Sequence, residues 1–248
     1  MRINKFKKLG RNKYKVMFDN EELVLYEDII LKHNLLTKKD INIDELEEII
    51  NDNRDYDAYN LALNYIEIRL RSRKEIYEYL KKKEFNENLI NDVISKLDDL
   101  GLLNNKQYIE AFINDKINLS NDGPYKIRSA LIDLEFEESD IDKYLYSIDQ
   151  DVWKEKLEKI INKKKSLMKS KSYYMFITKM KNDLYNLGYE KDMIENALSN
   201  IEYESDVLEK DYNKAFRKYS NDKTKLINSL LRKGYSYDEI NSLIKKDF

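Results

Sequence analysis

Five apolar columns recur four times along this chain, and their period decides what it can fold into. Each copy is anchored on a leucine: Leu80, Leu131, Leu184 and Leu230. Four residues before the anchor stand Ile76, Ile127, Met180 and Leu226. Five after it stand Phe85, Phe136, Tyr189 and Tyr235. Ten after it stand Ile90, Ile141, Ile194 and Ile240, and fourteen after it Ile94, Leu145, Leu198 and Ile244. The anchors lie 51, 53 and 46 residues apart. Self-similarity at about that period marks a helical array whose units bury their apolar faces against their neighbours.

The columns also give the unit. The −4 and 0 positions share one helix face, and so do +10 and +14. Between them the chain reads Glu84-Phe85-Asn86-Glu87, Glu135-Phe136-Glu137-Glu138, Gly188-Tyr189-Glu190-Lys191 and Gly234-Tyr235-Ser236-Tyr237. In the last two, glycine occupies the site where a helix commonly ends in a left-handed residue, and the following aromatic supplies the apolar contact of that cap. Acidic or hydroxyl residues then suit a new helix N-terminus. An earlier apolar pair marks a further helix: Ala62-Leu63, Ala111-Phe112, Ile160-Ile161 and Ala215-Phe216, which precede the anchor by 18, 20, 24 and 15 residues. Each unit therefore reads as three helices with a variable first turn and a constant second one.

The expected fold is mainly α, with about four tandem three-helix repeats of roughly 50 residues each in an elongated curved array. Ahead of them, residues 1–26 alternate in the manner of strands. Tyr14, Val16 and Phe18 form one run, Leu23 and Leu25 return after Asp19-Asn20, and Ile3 to Leu9 adds a strand across Gly10-Arg11-Asn12. A small antiparallel meander needs cover, and a helix over Glu27 to Asn34 supplies it. A second helix, Asn42 to Ile50, follows. The acidic stretch Asp40 to Asp57, with Arg54 its one base, reads as a solvated face joining the two regions. The expected organisation is a meander with covering helices at 1–56, then repeats at 57–101, 102–148, 149–202 and 203–248.

Composition narrows the function. With no cysteine, disulfides, thiolate catalysis and zinc–thiolate sites are excluded together. Net charge is −2, so anion binding has to come from a local patch. No signal peptide and no apolar span are legible, and a cytoplasmic, monomeric protein away from membranes is expected. There is no phosphate loop, no glycine-rich dinucleotide fingerprint and no HExxH. His33, the single histidine, falls near a helix end and suits a surface or capping role. The acids fall on solvent faces without ligand spacing. No catalytic residue, metal or cofactor is expected, and a metal-dependent phosphodiesterase has no positive support.

The informative clusters are basic. Arg69, Arg71, Arg73 and Lys74 fall between the first two helices of repeat one, followed by Lys81, Lys82 and Lys83. Three arginines at alternate positions imply a helix end and a turn, and their planar forks suit carboxylates and phosphates. They either meet an anionic partner or pair with the acidic stretch before them. Gly123-Pro124-Tyr125-Lys126-Ile127-Arg128 starts a helix, where free amides with Lys126 or Arg128 suit an anion. Lys154 to Lys171 holds eight lysines, Lys163, Lys164 and Lys165 among them, with Trp153 before it and Tyr173 and Tyr174 after. Such a face can track a phosphate backbone, or its lysine stems can cover apolar helix surface.

Three segments of this chain resemble the RecX family of recombination regulators. They are Ala62-Leu63-x-Tyr65 through Arg69-x-Arg71-Ser72-x-x-Glu75, Gly101-Leu102-Leu103-Asn104-Asn105 with Tyr108 and Ala111, and Gly123-Pro124 with Ile127-Arg128 and Leu131. They occur in the family's order and cover about residues 58–135. The family carries an acid where this chain has Asn105. The resemblance implies a non-enzymatic helical repeat protein that binds the groove of the RecA–single-stranded-DNA filament. It implies inhibition of ATP hydrolysis, strand exchange and stimulated repressor self-cleavage, and so negative regulation of recombination and the SOS response. Arg69, Arg71, Arg73, Lys74, Lys126, Arg128, Lys163, Lys164 and Lys165 are the candidate contacts to RecA or to single- or double-stranded DNA. The competing expectation is a stand-alone nucleic-acid-binding helical repeat protein.

Overall fold

A computed structural model describes residues 1–19, 21–167, 172–199, 201–202, 207–219 and 222–247, with backbone only at 245–247. Asn20, Lys169, Lys171 and the repeat boundary at 202/203 therefore fall at or beyond the edges of what is described. Contacts divide the chain into two compact units, Met1–Tyr108 and Ile109–Phe248.

The first unit opens with a three-stranded antiparallel sheet: β1 (Ile3–Lys8), β2 (Lys13–Phe18) and β3 (Glu22–Tyr26), in the order β1-β2-β3. Phe6 pairs with Val16, and Val16 with Leu23, so one face collects the apolar side chains. That face is covered by α1 (Glu27–Lys32) and by the first turns of α2 (Ile43–Ile68), through Ile29, Ile30, Leu46 and Ile49. The N-terminus is tied down: Met1 bonds to the Ile41 carbonyl at 2.7 Å and the Ile3 N–H to the Lys39 carbonyl at 2.9 Å.

α2 differs from the sequence expectation. It does not stop at Ile50 but runs unbroken to Ile68, through the boundary drawn at residues 56/57. The residues Ile43–Ile68 contain no glycine or proline to end it. It starts on a full capping box, with Asn42 accepting from the Glu45 N–H at 2.7 Å and Glu45 accepting from the Asn42 N–H at 3.0 Å. One helix serves two cores: Leu46 and Ile49 pack on the sheet side, Ala58 and Ala62 against α3 (Arg73–Lys81) and α4 (Glu87–Asp99).

The division between units falls within α5 (Asn105–Leu119). The second unit continues with α6 (Pro124–Asp133), α7 (Glu138–Ser147), α8 (Gln150–Leu167), α9 (Tyr173–Asn186), α10 (Lys191–Ser199), α11 (Val207–Tyr219), α12 (Lys223–Leu231) and α13 (Tyr237–Asp247). The helices fall in threes, as the columns require. Every residue of the five columns is buried except Phe85, Ile94 and Leu145, which are half-buried.

The constant second turn has one geometry in all four copies. Glu84, Glu135, Gly188 and Gly234 are left-handed, with φ of 64°, 65°, 85° and 81°. The next residue, the aromatic, donates its N–H to the anchor leucine's carbonyl: Phe85 to Leu80 at 3.4 Å, Phe136 to Leu131 at 3.2 Å, Tyr189 to Leu184 and Tyr235 to Leu230 at 3.3 Å. This six-to-one bond is the Schellman closure of a helix. It explains why the anchor-to-aromatic spacing never varies.

In the second unit, these turns also join neighbouring repeats. The start of α6 packs on the α9–α10 turn: the Gly123 N–H donates to the Leu187 carbonyl at 2.6 Å and the Tyr125 N–H to the Gly188 carbonyl at 3.0 Å. One repeat further on, Ser172 at the start of α9 donates through Oγ to the Lys233 carbonyl at 2.6 Å, beside Gly234. The same joint, made by different groups, recurs.

Candidate partner-binding site

α2 ends at Ile68, Arg69 is extended, and Ser72 caps α3, so the first basic cluster occupies the corner between two helices. The corner is organised by Glu75. Its Oε2 accepts from the Ser72 N–H at 2.9 Å and from the Tyr108 hydroxyl at 3.0 Å, while Ser72 Oγ accepts from the Glu75 N–H at 3.1 Å. Its Oε1 lies 2.6 Å from Arg69 Nη2 and 3.6 Å from Arg71 Nη1. Burial pushes the Glu75 carboxyl up, but the Ser72 N–H, Arg69 and Tyr108 outweigh it and hold it below the ordinary glutamate value. Burial and the neighbouring Glu75 push Tyr108 up to about 12. The arginine bridges run forward to Glu75 and Asp98, not back to the acidic stretch.

The three arginines then differ in what they leave open. The Arg71 side chain is only 10% exposed. Its guanidinium lies 3.7 Å from the centre of the Tyr65 ring, which stacks on Tyr79 at 4.2 Å, and its Nε donates to the Tyr65 carbonyl at 3.2 Å. Arg71 is built into the corner. Arg69 is 54% exposed and presents its outer edge to solvent. Arg73 pairs with Asp98 at 2.5 Å and donates to Asn105 Oδ1. Asn105 stands where the family resemblance expects an acid, so here Arg73 meets a neutral amide. Lys74 is half-buried in the same first turn.

At α6 the expected anion position is already filled. Pro124 has no N–H, and the Tyr125 N–H is used by the Gly188 carbonyl. Lys126 pairs with Asp122 at 2.8 Å. Arg128 pairs with Asp142 at 2.7 Å and with Glu138 at 2.5 Å, which together raise its pKa far above the ordinary arginine value. Two residues apart on one helix, Lys126 and Arg128 face different sides.

On α8, Trp153, Leu157, Ile160 and Ile161 are core. Lys156 is turned inward, donating to the carbonyls of Lys116 at 2.8 Å and Asp122 at 3.1 Å, and burial lowers its pKa. Lys164 pairs with Asp183 at 2.5 Å. Lys163 is exposed, and Lys165 lines a groove with Leu157, Ile161, Met193 and Ala197. The structure thus gathers Arg69, Arg71, Arg73 and Lys74 at one corner and spreads the other candidates over α6 and α8. Glu75 and Tyr108 are the residues that basic-cluster reasoning missed. The serine–glutamate spacing of the capping box was the available signal for Glu75.

Among the described residues, one group has metal-donor geometry: His33, Glu48 and Asp52, whose ligand atoms lie within 4.8 Å of one another. Lys32 sits 2.6 Å from Asp52 Oδ2, and His33 Nε2 lies 2.6 Å from the same oxygen. The ammonium already supplies the counter-charge, and the group reads as a latch between α1 and α2. No described helix is long and apolar enough to cross a membrane.

A family model for the first three-helix domain of RecX matches residues 58–97, which contain Arg69, Arg71, Ser72, Arg73, Lys74 and Glu75. The regulatory protein RecX of Lactococcus lactis subsp. lactis is 30% identical across 98% of this chain and 96% of its own. The chain belongs to the RecX family. The RecX protein of Staphylococcus epidermidis is 29% identical over 96% of this chain and 94% of its own. A crystal structure described as regulatory protein RecX matches with a TM-score of 0.62 at 21% identity, covering 81% of this chain and 100% of that one. RecX from Lactobacillus salivarius matches with a TM-score of 0.53 at 29% identity, covering 58% and 94%. The matches to the Lactococcus and Staphylococcus proteins take in nearly all of this chain.

Proposed function

We propose that this protein is a non-enzymatic negative regulator of homologous recombination and of the SOS response. It binds the groove of the RecA–single-stranded-DNA filament and inhibits ATP hydrolysis, strand exchange and coprotease activity. The observation that carries the reading is the near full-length kinship to proteins named regulatory protein RecX. The repeated three-helix unit supports it, because tandem units offer extended binding surfaces suited to a polymeric partner. It acts in the cytoplasm as a monomer.

The contact residues are Arg69, Arg73 and Lys74 at the Glu75 corner, Lys126 and Arg128 on α6, and Lys163, Lys164 and Lys165 on α8. Arg71 belongs to the same set through its role in holding the corner. Arg69 and Lys126 each keep about half of the side chain in solvent, 54% and 52%, and can exchange an internal acid for a partner's. The test is binding of the chain to preassembled filaments on an immobilised single strand. Arg69→Gln with Lys126→Gln is expected to weaken binding at least ~10-fold, with a lowered melting midpoint but the cooperative transition kept. Full binding by this folded variant removes both residues from the interface. Binding that follows bare DNA alone, and falls with Lys163→Gln and Lys165→Gln, favours the stand-alone nucleic-acid binder.

A further inference from the structure

The sheet has a second face that the regulatory reading does not use. Pairing sets it out in rows: Lys5 opposite Met17, which is opposite Glu22; then Lys7 opposite Lys15, which is opposite Val24. Lys5, Lys7, Glu22 and Val24 are exposed. Like charges directly across an antiparallel pair are destabilising, so a face shaped by folding alone gains nothing from Lys7 beside Lys15. Lys15 is held by Glu22 at 2.6 Å. Lys5 and Lys7 have no acidic partner among the described residues. Arg11 extends the charge to the hairpin end, whereas Lys8, opposite Tyr14, falls on the covered face.

The segment is locally basic in a chain of net charge −2. Residues 1–26 carry Arg2, Lys5, Lys7, Lys8, Arg11, Lys13 and Lys15 against Asp19, Glu21 and Glu22. Asp19 is turned to the edge, accepting from the Arg2 N–H at 2.8 Å. Lys5 and Lys7 stand about 6.8 Å apart along one strand, with Lys15 beside them. Neither row holds an aromatic, and in the next one Tyr26, opposite Lys13, is buried and donates to Asp57. The face offers cations in a line and no stacking surface.

We propose that the solvent face of β1 and β2 is a nucleic-acid site that grips the phosphate backbone through Lys5, Lys7 and Arg11 and reads no bases. Backbone contacts of this kind position a strand without sequence preference. The site goes beyond the regulatory reading and needs no recombinase.

The test is fluorescence anisotropy of the full chain with a labelled single strand and with a duplex of the same length, across a salt series and with no recombinase present. Binding is expected with log affinity falling linearly in log salt and with little dependence on base composition. Lys5→Gln, Lys7→Gln and Arg11→Gln together are expected to lower the slope by about two and the affinity at least ~10-fold for every sequence. These are exposed positions, and circular dichroism is expected to be unchanged. Lys210→Gln with Lys214→Gln, exposed on α11, serves as the control and is expected to bind as the parent does. The proposal is overturned if the triple variant keeps the parent's slope, or if the α11 control loses as much. It is equally overturned if the triple variant self-associates with unchanged affinity, because the lysines then only blunt a sheet edge. Failure here leaves the regulatory reading untouched, since no recombinase enters the assay.

Discussion

Gly123 and Gly188 meet main chain to main chain. A Cβ on Gly123 would lie 2.6 Å from the Gly188 carbonyl carbon, and a Cβ on Gly188 would lie 2.5 Å from the Lys126 nitrogen. The first glycine begins α6 and the second ends α9, so two successive repeats are joined where neither can carry a side chain. Gly123→Ala is expected to cost about 1–3 kcal/mol by forcing the backbones apart. Gly188→Ala is expected to cost more, about 2–4 kcal/mol, because its φ of 85° strains any L side chain as well. Urea unfolding of both variants checks this, and parent-like stability in either would contradict the close approach.

The anchor leucines test the repeat itself. Leu131 is fully buried, and its carbonyl closes the Phe136 turn. Leu131→Ala is expected to cost about 2–5 kcal/mol, read as a lowered denaturation midpoint. A loss below 1 kcal/mol would mean the column is not core.

Glu75 predicts a pH dependence. Its folded pKa is depressed, so the unfolded chain takes up a proton at a pH where the folded chain does not. The stabilisation is therefore complete above the unfolded glutamate value and is lost as pH falls through the folded one. Glu75→Gln is expected to destabilise by about 2 kcal/mol at neutral pH. The difference should shrink below about pH 4. A pH-independent difference between the two chains would contradict this role.

The left-handed glutamates predict a gain. Glu84 adopts φ 64° at a position where repeats three and four use glycine. Glu84→Gly is expected to stabilise by about 1 kcal/mol. The Arg54 bond to this residue uses the main-chain carbonyl and survives the change. Thermal melting at one pH reads the effect, and a lowered midpoint would show that the Glu84 side chain holds the turn.

Much of the helical array was legible because burial and period coincide: the columns sit on helix faces and the turn between them has one length. The left-handed turns at Glu84 and Glu135 were not legible, since glutamate carries no backbone signal. The continuity of α2 was hidden for a related reason. Its outer half packs through Ala58 and Ala62, small residues that leave the apolar period faint. The basic clusters were visible as charge, but their partners were not. Glu75 is close in sequence, whereas Asp98, Asp142 and Asp183 reach Arg73, Arg128 and Lys164 only through tertiary packing. Spacing alone cannot tell a cation offered to a partner from one already neutralised.

The most direct test of the regulatory reading is the single-stranded-DNA-dependent ATPase rate of the cognate RecA, titrated with this protein, beside its binding to the same DNA alone. The expected result is loss of ATPase at concentrations where bare DNA is still unbound. An unchanged rate over filaments that remain intact would contradict it.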